Sequence, residues 1–149
     1  MSWNPQVALA IFVGITATVE DLARREIPNW IPVAAVAGGV CASAWMDGWG
    51  GLGSSLLGTV LGFLVFLVFY LLGGMGGGDI KLMAGLGAIL GAGRMLEASL
   101  WTAGIGGIFA VLALGWNALL RRGSQPESAH IPYAPAITLG AWLSLVPKG

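Results

Sequence analysis

Hydrophobic residues occur along this chain in long runs, separated by short clusters of glycine, proline and charge. The first run, from about Gln6 to Arg24 or Arg25, has the roughly 20 residues a helix needs to cross a hydrocarbon core. It closes on the densest charge in the chain, Glu20-Asp21-Leu22-Ala23-Arg24-Arg25-Glu26. Ile27-Pro28-Asn29 then stops it, because proline disfavours a helical residue before itself. A second helix is predicted over Trp30–Met46, a tight turn over Asp47-Gly48-Trp49-Gly50-Gly51, and a third helix over Leu52–Leu72, where Gly58 and Gly62 offer a close-packing face. A fourth, from Ile80 to about Ala92, is short for a crossing and carries Ala84, Gly87, Ala88 and Gly91 as a packing stripe. A fifth runs from about Leu96 to Leu120, with Gly104 and Gly107 as further small positions. Gly123–His130 is the one stretch with the composition of a soluble loop, and a last apolar run ends near Val146. The expectation is an all-α integral membrane protein with about six transmembrane helices, the fourth short, in one domain over residues 1–149.

Composition agrees. Of 149 residues, 56% are hydrophobic and 9% charged, with mean hydropathy +0.83, whereas about a quarter of a soluble domain is charged. The formal net charge of zero gives no electrostatic case for a nucleic-acid partner. The single cysteine, Cys41, lies in an apolar run and allows neither an internal disulfide nor a paired-cysteine zinc site. His130 has no companion histidine or cysteine, so no metal site is expected. No basic residue precedes the first run, so that run reads as a retained helix rather than a cleaved signal. Basic residues favour the cytoplasmic side of short loops. If the first helix ends inside, Arg24, Arg25, Lys81, Arg121 and Arg122 are cytoplasmic, Arg94 and Lys148 are outside, and both termini lie outside. Trp3, Trp45, Trp49, Trp101 and Trp142 then fall near the outer interface and Trp30 and Trp116 near the inner one, most of them as anchors.

One break in the apolar pattern carries chemistry: Gly73-Gly74-Met75-Gly76-Gly77-Gly78-Asp79-Ile80-Lys81-Leu82. An acid beside or inside a bilayer is costly and points to function. A phosphate-binding loop is excluded by spelling, since Asp79 stands where the last glycine of a G-x-G-x-x-G pattern belongs and no Gly-Lys-Ser/Thr follows. The structural alternative is that Asp79 caps the helix after it. The predicted topology puts Asp79 at the same cytoplasmic depth as Asp21. Two such carboxylates, sharing a proton, can activate water and polarise a peptide carbonyl as aspartic proteases do. Glu20 points about 100° away from Asp21 on the same helix and reads as a solvated end charge.

These residues resemble the type IV prepilin peptidase family, particularly its short form associated with tight-adherence (Flp-type) pili. Gly76-Gly77-Gly78-Asp79 is similar to the family's Gly-x-Gly-Asp motif. Asp21 followed by Ile27-Pro28-Asn29 is similar to its first catalytic aspartate and Ile-Pro-Asn sequel. Ile131-Pro132-Tyr133-Ala134-Pro135 is similar to its late Ile-Pro-Tyr segment. The resemblance implies an aspartic endopeptidase of the bacterial inner membrane, with Asp21 and Asp79 as the catalytic pair, acting without a cofactor. Its substrate would be a prepilin, an apolar helix behind a short basic leader, met within membrane lipid at the cytoplasmic boundary. Gly76, Gly77, Gly78, Lys81, Ile27, Pro28, Asn29, Pro132 and Tyr133 would bind substrate or shape the site. Apart from the resemblance, the many backbone states open to three successive glycines predict a hinge at Gly76-Gly77-Gly78 that lets Asp79 reach Asp21 when a substrate helix is in place. Larger relatives also N-methylate the new amino terminus and carry two Cys-x-x-Cys pairs; with one cysteine, this sequence is not expected to methylate. A proton-coupled transporter would also keep membrane acids, but nearer mid-membrane. A structural assembly subunit would explain the small-residue stripes and leave the paired acids without a role.

Overall fold

The computed structural model describes residues 4–72, 75–120 and 133–146. They form four helices, α1 (Pro5–Arg24), α2 (Trp30–Leu71), α3 (Gly77–Leu120) and α4 (Ala134–Leu145). α1, α2 and the Gly77–Leu112 part of α3 are long and apolar enough to cross a membrane, and α4 is a shorter apolar helix. The Asn4 side chain caps α1 by accepting the Gln6 N–H at 3.0 Å, with Pro5 in the first turn where no amide hydrogen is needed.

α2 and α3 each fold back on themselves at one glycine. Gly48 (φ 57, ψ −135) and Gly91 (φ 73, ψ 170) are the residues with non-helical backbone inside these helices. Both have positive φ, which a residue with a Cβ adopts only at a cost. The reversal at Gly48 brings Gly51 against the Ser43 carbonyl, and both Gly39 and Gly58 against residues 87–91 of α3. The turn expected over five residues, Asp47–Gly51, is therefore compressed into Gly48. At Gly91 the helical bond between Ala88 C=O and Ala92 N–H is replaced: Ser55 Oγ donates to the Ala88 carbonyl at 2.7 Å and Ser54 Oγ accepts the Ala92 N–H at 3.2 Å. In an apolar solvent such freed backbone groups need internal partners, and two adjacent serines of α2 provide them.

The arm of α3 ahead of Gly91 is the centre of the molecule, buried at every residue from Leu82 to Gly91. A helix apolar all round is one enclosed by others, which is how a segment this short is accommodated. Gly58 rests on the Gly87 carbonyl and Gly62 on that of Met83, so the small residues bring two backbones into contact. Gly104 and Gly107 do not share this role, since a Cβ at either would meet nothing within 4 Å. Leu, Ile, Val and Phe side chains point outward on every helix, as on Phe12, Val19, Val33, Leu57 and Leu100. Cys41 is exposed among them. Trp45 and Trp49 flank Gly48 at 91% and 88% exposure, whereas Trp142, expected as an anchor, is turned into the fold and donates from Nε1 to the Ala10 carbonyl at 3.2 Å.

Candidate active site

Asp21 belongs to the packed stripe of α1, with Ala10, Val13, Gly14 and Ala17 at intervals of three or four residues. Glu20, one residue earlier, is turned aside and pairs with Arg24 at 3.2 Å. α1 closes at Arg25, whose left-handed backbone (φ 55) lets its N–H reach the Asp21 carbonyl at 2.8 Å.

The second acid arrives on α3. Gly77 and Gly78 are the first residues of that helix, which begins earlier than the expected Ile80, so the glycine run is only partly loop. Asp79 bends its carboxylate back to accept the Gly76 N–H at 3.1 Å, and its own N–H bonds the Gly76 carbonyl at 3.2 Å. This is the carboxylate half of a capping box. Asp79 thus does cap its helix, from inside the first turn rather than from the residue before it.

Ile27 and Asn29 bind the α1–α2 connection to the same region. A Cβ on Gly78 would lie 3.2 Å from the Ile27 Cβ, so the bare glycine is the seat for that side chain. The Asn29 Oδ1 accepts from Lys81 Nζ at 2.9 Å. Lys81 therefore binds the α1–α2 connection, and Pro28 accepts the Ile31 N–H at 3.1 Å in starting α2. A Cβ on Gly77 would lie 3.9 Å from the Tyr70 ring.

From α4, the Ala134 N–H donates to Asp21 Oδ2 at 3.2 Å. The N–H groups of a helix's first turn have no partner within the helix, so α4 offers Asp21 a donor aimed by its own geometry. Asp21 and Asp79 are 8% and 7% exposed, and near enough to act on each other electrostatically. Each carboxylate is thus held by one backbone N–H, and each donor sits one residue past a residue that lines a shared cavity. Met75 and Tyr133 are those residues, and Phe66, Phe69, Gly106 and Ala110 complete most of an apolar space of about 170 Å³. Among the described residues no cluster of three His, Cys, Asp or Glu could hold a metal. Pro132 and His130 lie outside the described residues.

Of the residues expected at the site, Asp21, Asp79, Gly76, Gly77, Gly78, Ile27, Pro28, Asn29, Lys81 and Tyr133 gather at the end where α1 finishes and α3 begins. Sequence reasoning named Gly76 for its backbone freedom and not as a hydrogen-bond donor, and it did not single out Ala134, since a backbone donor has no side-chain signature.

Fold and site define a multi-pass α-helical membrane protein with a buried pair of carboxylates at one end. Residues 8–111 match the type IV leader peptidase family, and the chain belongs to it. It is 31% identical over 152 aligned residues to a prepilin leader peptidase/N-methyltransferase of Aeromonas salmonicida strain A449, covering 97% of this chain and 50% of that one. To the protein of the same description from Bacillus subtilis strain 168 it is 33% identical over 145, covering 93% and 52%. A preflagellin peptidase of Methanococcus voltae is 28% identical over 86 residues, 56% of this chain and 37% of that one. The chain spans about half the length of the first two relatives. No solved structure matches it.

Proposed function

We propose that the chain is an aspartic endopeptidase that removes the leader of a type IV prepilin of the Flp class at the cytoplasmic face of the bacterial inner membrane. The observation that carries this reading is the pair Asp21 and Asp79, both buried, each bound by one backbone N–H, and within electrostatic reach of each other. In the proposed reaction one carboxylate takes a proton from water as the oxygen attacks the scissile carbonyl carbon. The other, protonated, polarises that carbonyl and then passes its proton to the departing amine as the C–N bond breaks. The neighbouring apolar cavity suits one large apolar side chain of the substrate, since a dry 150 Å³ cavity is known to take up benzene.

In this reading α1, each arm of α2 and α3, and the short α4 serve as six crossings, with both termini outside. The reading stops at hydrolysis and does not extend to N-methylation. Purified protein incubated with an Flp-type prepilin should yield two fragments whose masses place the cut between leader and apolar helix, with the new amino terminus unmethylated. An intact prepilin after prolonged incubation would defeat the proposal.

The orientation is checked separately, in a Cys41→Ser background. Gly50→Cys is expected to react with an impermeant thiol reagent on intact cells, where its position is open and a Cβ meets nothing within 4 Å. Gly123→Cys and Ser128→Cys are expected to stay shielded until the membrane is breached. The reverse pattern would put the acid pair on the wrong side for a cytoplasmic leader.

A further inference from the structure

α1 and α4 are joined by a ladder of hydrogen bonds whose top rung is the Ala134 N–H on Asp21, at 3.2 Å. One turn deeper, the hydroxyls of Thr18 and Thr138 lie 3.0 Å apart, and Thr138 Oγ1 donates to the Gly14 carbonyl at 3.1 Å. Another turn down, Trp142 Nε1 donates to the Ala10 carbonyl at 3.2 Å. Positions 10, 14, 18 and 21 on α1, and 134, 138 and 142 on α4, recur at three or four residues, so each set shares one helix face. A hydroxyl has one hydrogen. Thr138 gives its hydrogen to Gly14, so Thr18 must be the donor in the Thr18–Thr138 pair, and the relay runs Thr18 to Thr138 to Gly14. Gly14 admits it: a Cβ there would fall 2.6 Å from Thr138 Cγ2 and 3.1 Å from Trp142 Nε1.

α4 has twelve residues, and beside Ile137 those it buries are small or hydroxyl-bearing: Ala134, Ala136, Thr138, Gly140, Ala141 and Ser144. The hydrogen bonds to Asp21, Gly14, Thr18 and Ala10 are the directional contacts that set its register on α1. We propose that Thr138 is a positioning residue for Asp21: through the relay from Thr18 to Gly14 it holds the start of α4 against α1 and keeps the Ala134 N–H on the carboxylate. This rests on the hydrolytic function proposed above. Interhelical hydrogen bonds in membranes are individually modest, so losing one leaves a folded protein with α4 free to shift. Misplacing a reacting group by 1 Å can cost about a hundredfold in rate.

The test is cleavage kinetics of near-isosteric Thr138→Val beside wild type and Asp21→Asn in one detergent. The expected result is a kcat lowered about tenfold, a fraction of that hundredfold limit, with KM unchanged, thermal stability close to wild type, and kcat restored in Thr138→Ser. Thr18→Val removes the donor of the same relay and should give a smaller fall that does not add to that of Thr138→Val. Gly14→Ala, which pushes α4 away by bulk while leaving both hydroxyls, should also lower kcat. A wild-type kcat in Thr138→Val, a loss confined to KM, or a loss that Thr138→Ser fails to restore would overturn the assignment. If Thr138→Val does not accumulate in membranes, Thr18→Val carries the same test, and a wild-type kcat there overturns it equally. An inactive wild type would overturn the hydrolytic reading and this inference with it, whereas an active wild type beside an indifferent Thr138→Val removes the positioning role alone.

Discussion

Asp21→Asn and Asp79→Asn each abolish prepilin cleavage while leaving the amount of membrane-inserted protein unchanged. The amide has the size and shape of the carboxylate, and its oxygen can still accept the Ala134 N–H in one case and the Gly76 N–H in the other. What it cannot do is take a proton from water or return one to the leaving amine. General acid–base groups typically contribute about 10²–10⁴ in rate, and here neither acid has a substitute for the proton transfer it performs, so the expected loss is at the upper end. Because the two act as one unit, the double variant should be no slower than either single one. The measurement is turnover of a prepilin by equal amounts of purified protein, with folding checked by circular dichroism. Near-normal turnover in either variant would refute the dyad. A Glu20→Gln variant serves as the contrast, since that side chain is held by Arg24 on a different face of α1, and it should retain most of the activity.

Asp21 and Asp79 were legible in the sequence because a carboxylate at the edge of an apolar run has few structural reasons to be there. The breaks around them were legible for a similar reason: Pro28 and the glycine run interrupt helices by mechanisms visible in one residue. What the sequence concealed was partnership. Ser54 and Ser55 serve the two backbone groups released at Gly91, a need that exists only once α3 has folded back against α2. Gly48 could not be singled out from Gly50 and Gly51, because all three permit positive φ and only the packing of Gly51 on Ser43 selects where the reversal falls. Trp142 carries the signature of an interfacial anchor, and only the neighbouring Gly14 and Ala10 of α1 draw it inward. The backbone donors on the two acids lie beyond any reading of side chains. The Gly76–Asp79 bond is local, but the Ala134–Asp21 bond joins residues 113 positions apart.

The largest stability effect is expected at the crossing of Gly58 and Gly87. A Cβ on either glycine would overlap the carbonyl oxygen of the other, and one on Gly58 would also come within 2.8 Å of the Gly91 carbonyl carbon. Neither obstacle is a flexible side chain that could rotate away. Gly87→Ala or Gly58→Ala must therefore separate the second arm of α2 from the central arm of α3, opening contacts along both. Overpacking of this kind costs roughly 1–3 kcal/mol. Gly104→Ala is the matched control, because the added methyl group meets nothing within 4 Å and a helix interior gains about 0.5–1 kcal/mol from alanine in place of glycine. Thermal unfolding in one detergent should then move in opposite directions, down for Gly87→Ala and level or up for Gly104→Ala. The central arm also carries Asp79 at its start, so Gly87→Ala should lose activity at temperatures where it is still folded, as the arm shifts relative to α1 and Asp21. If Gly87→Ala melts with the wild type, the two backbones are not in contact, and the packing that brings the acids together has to be sought elsewhere.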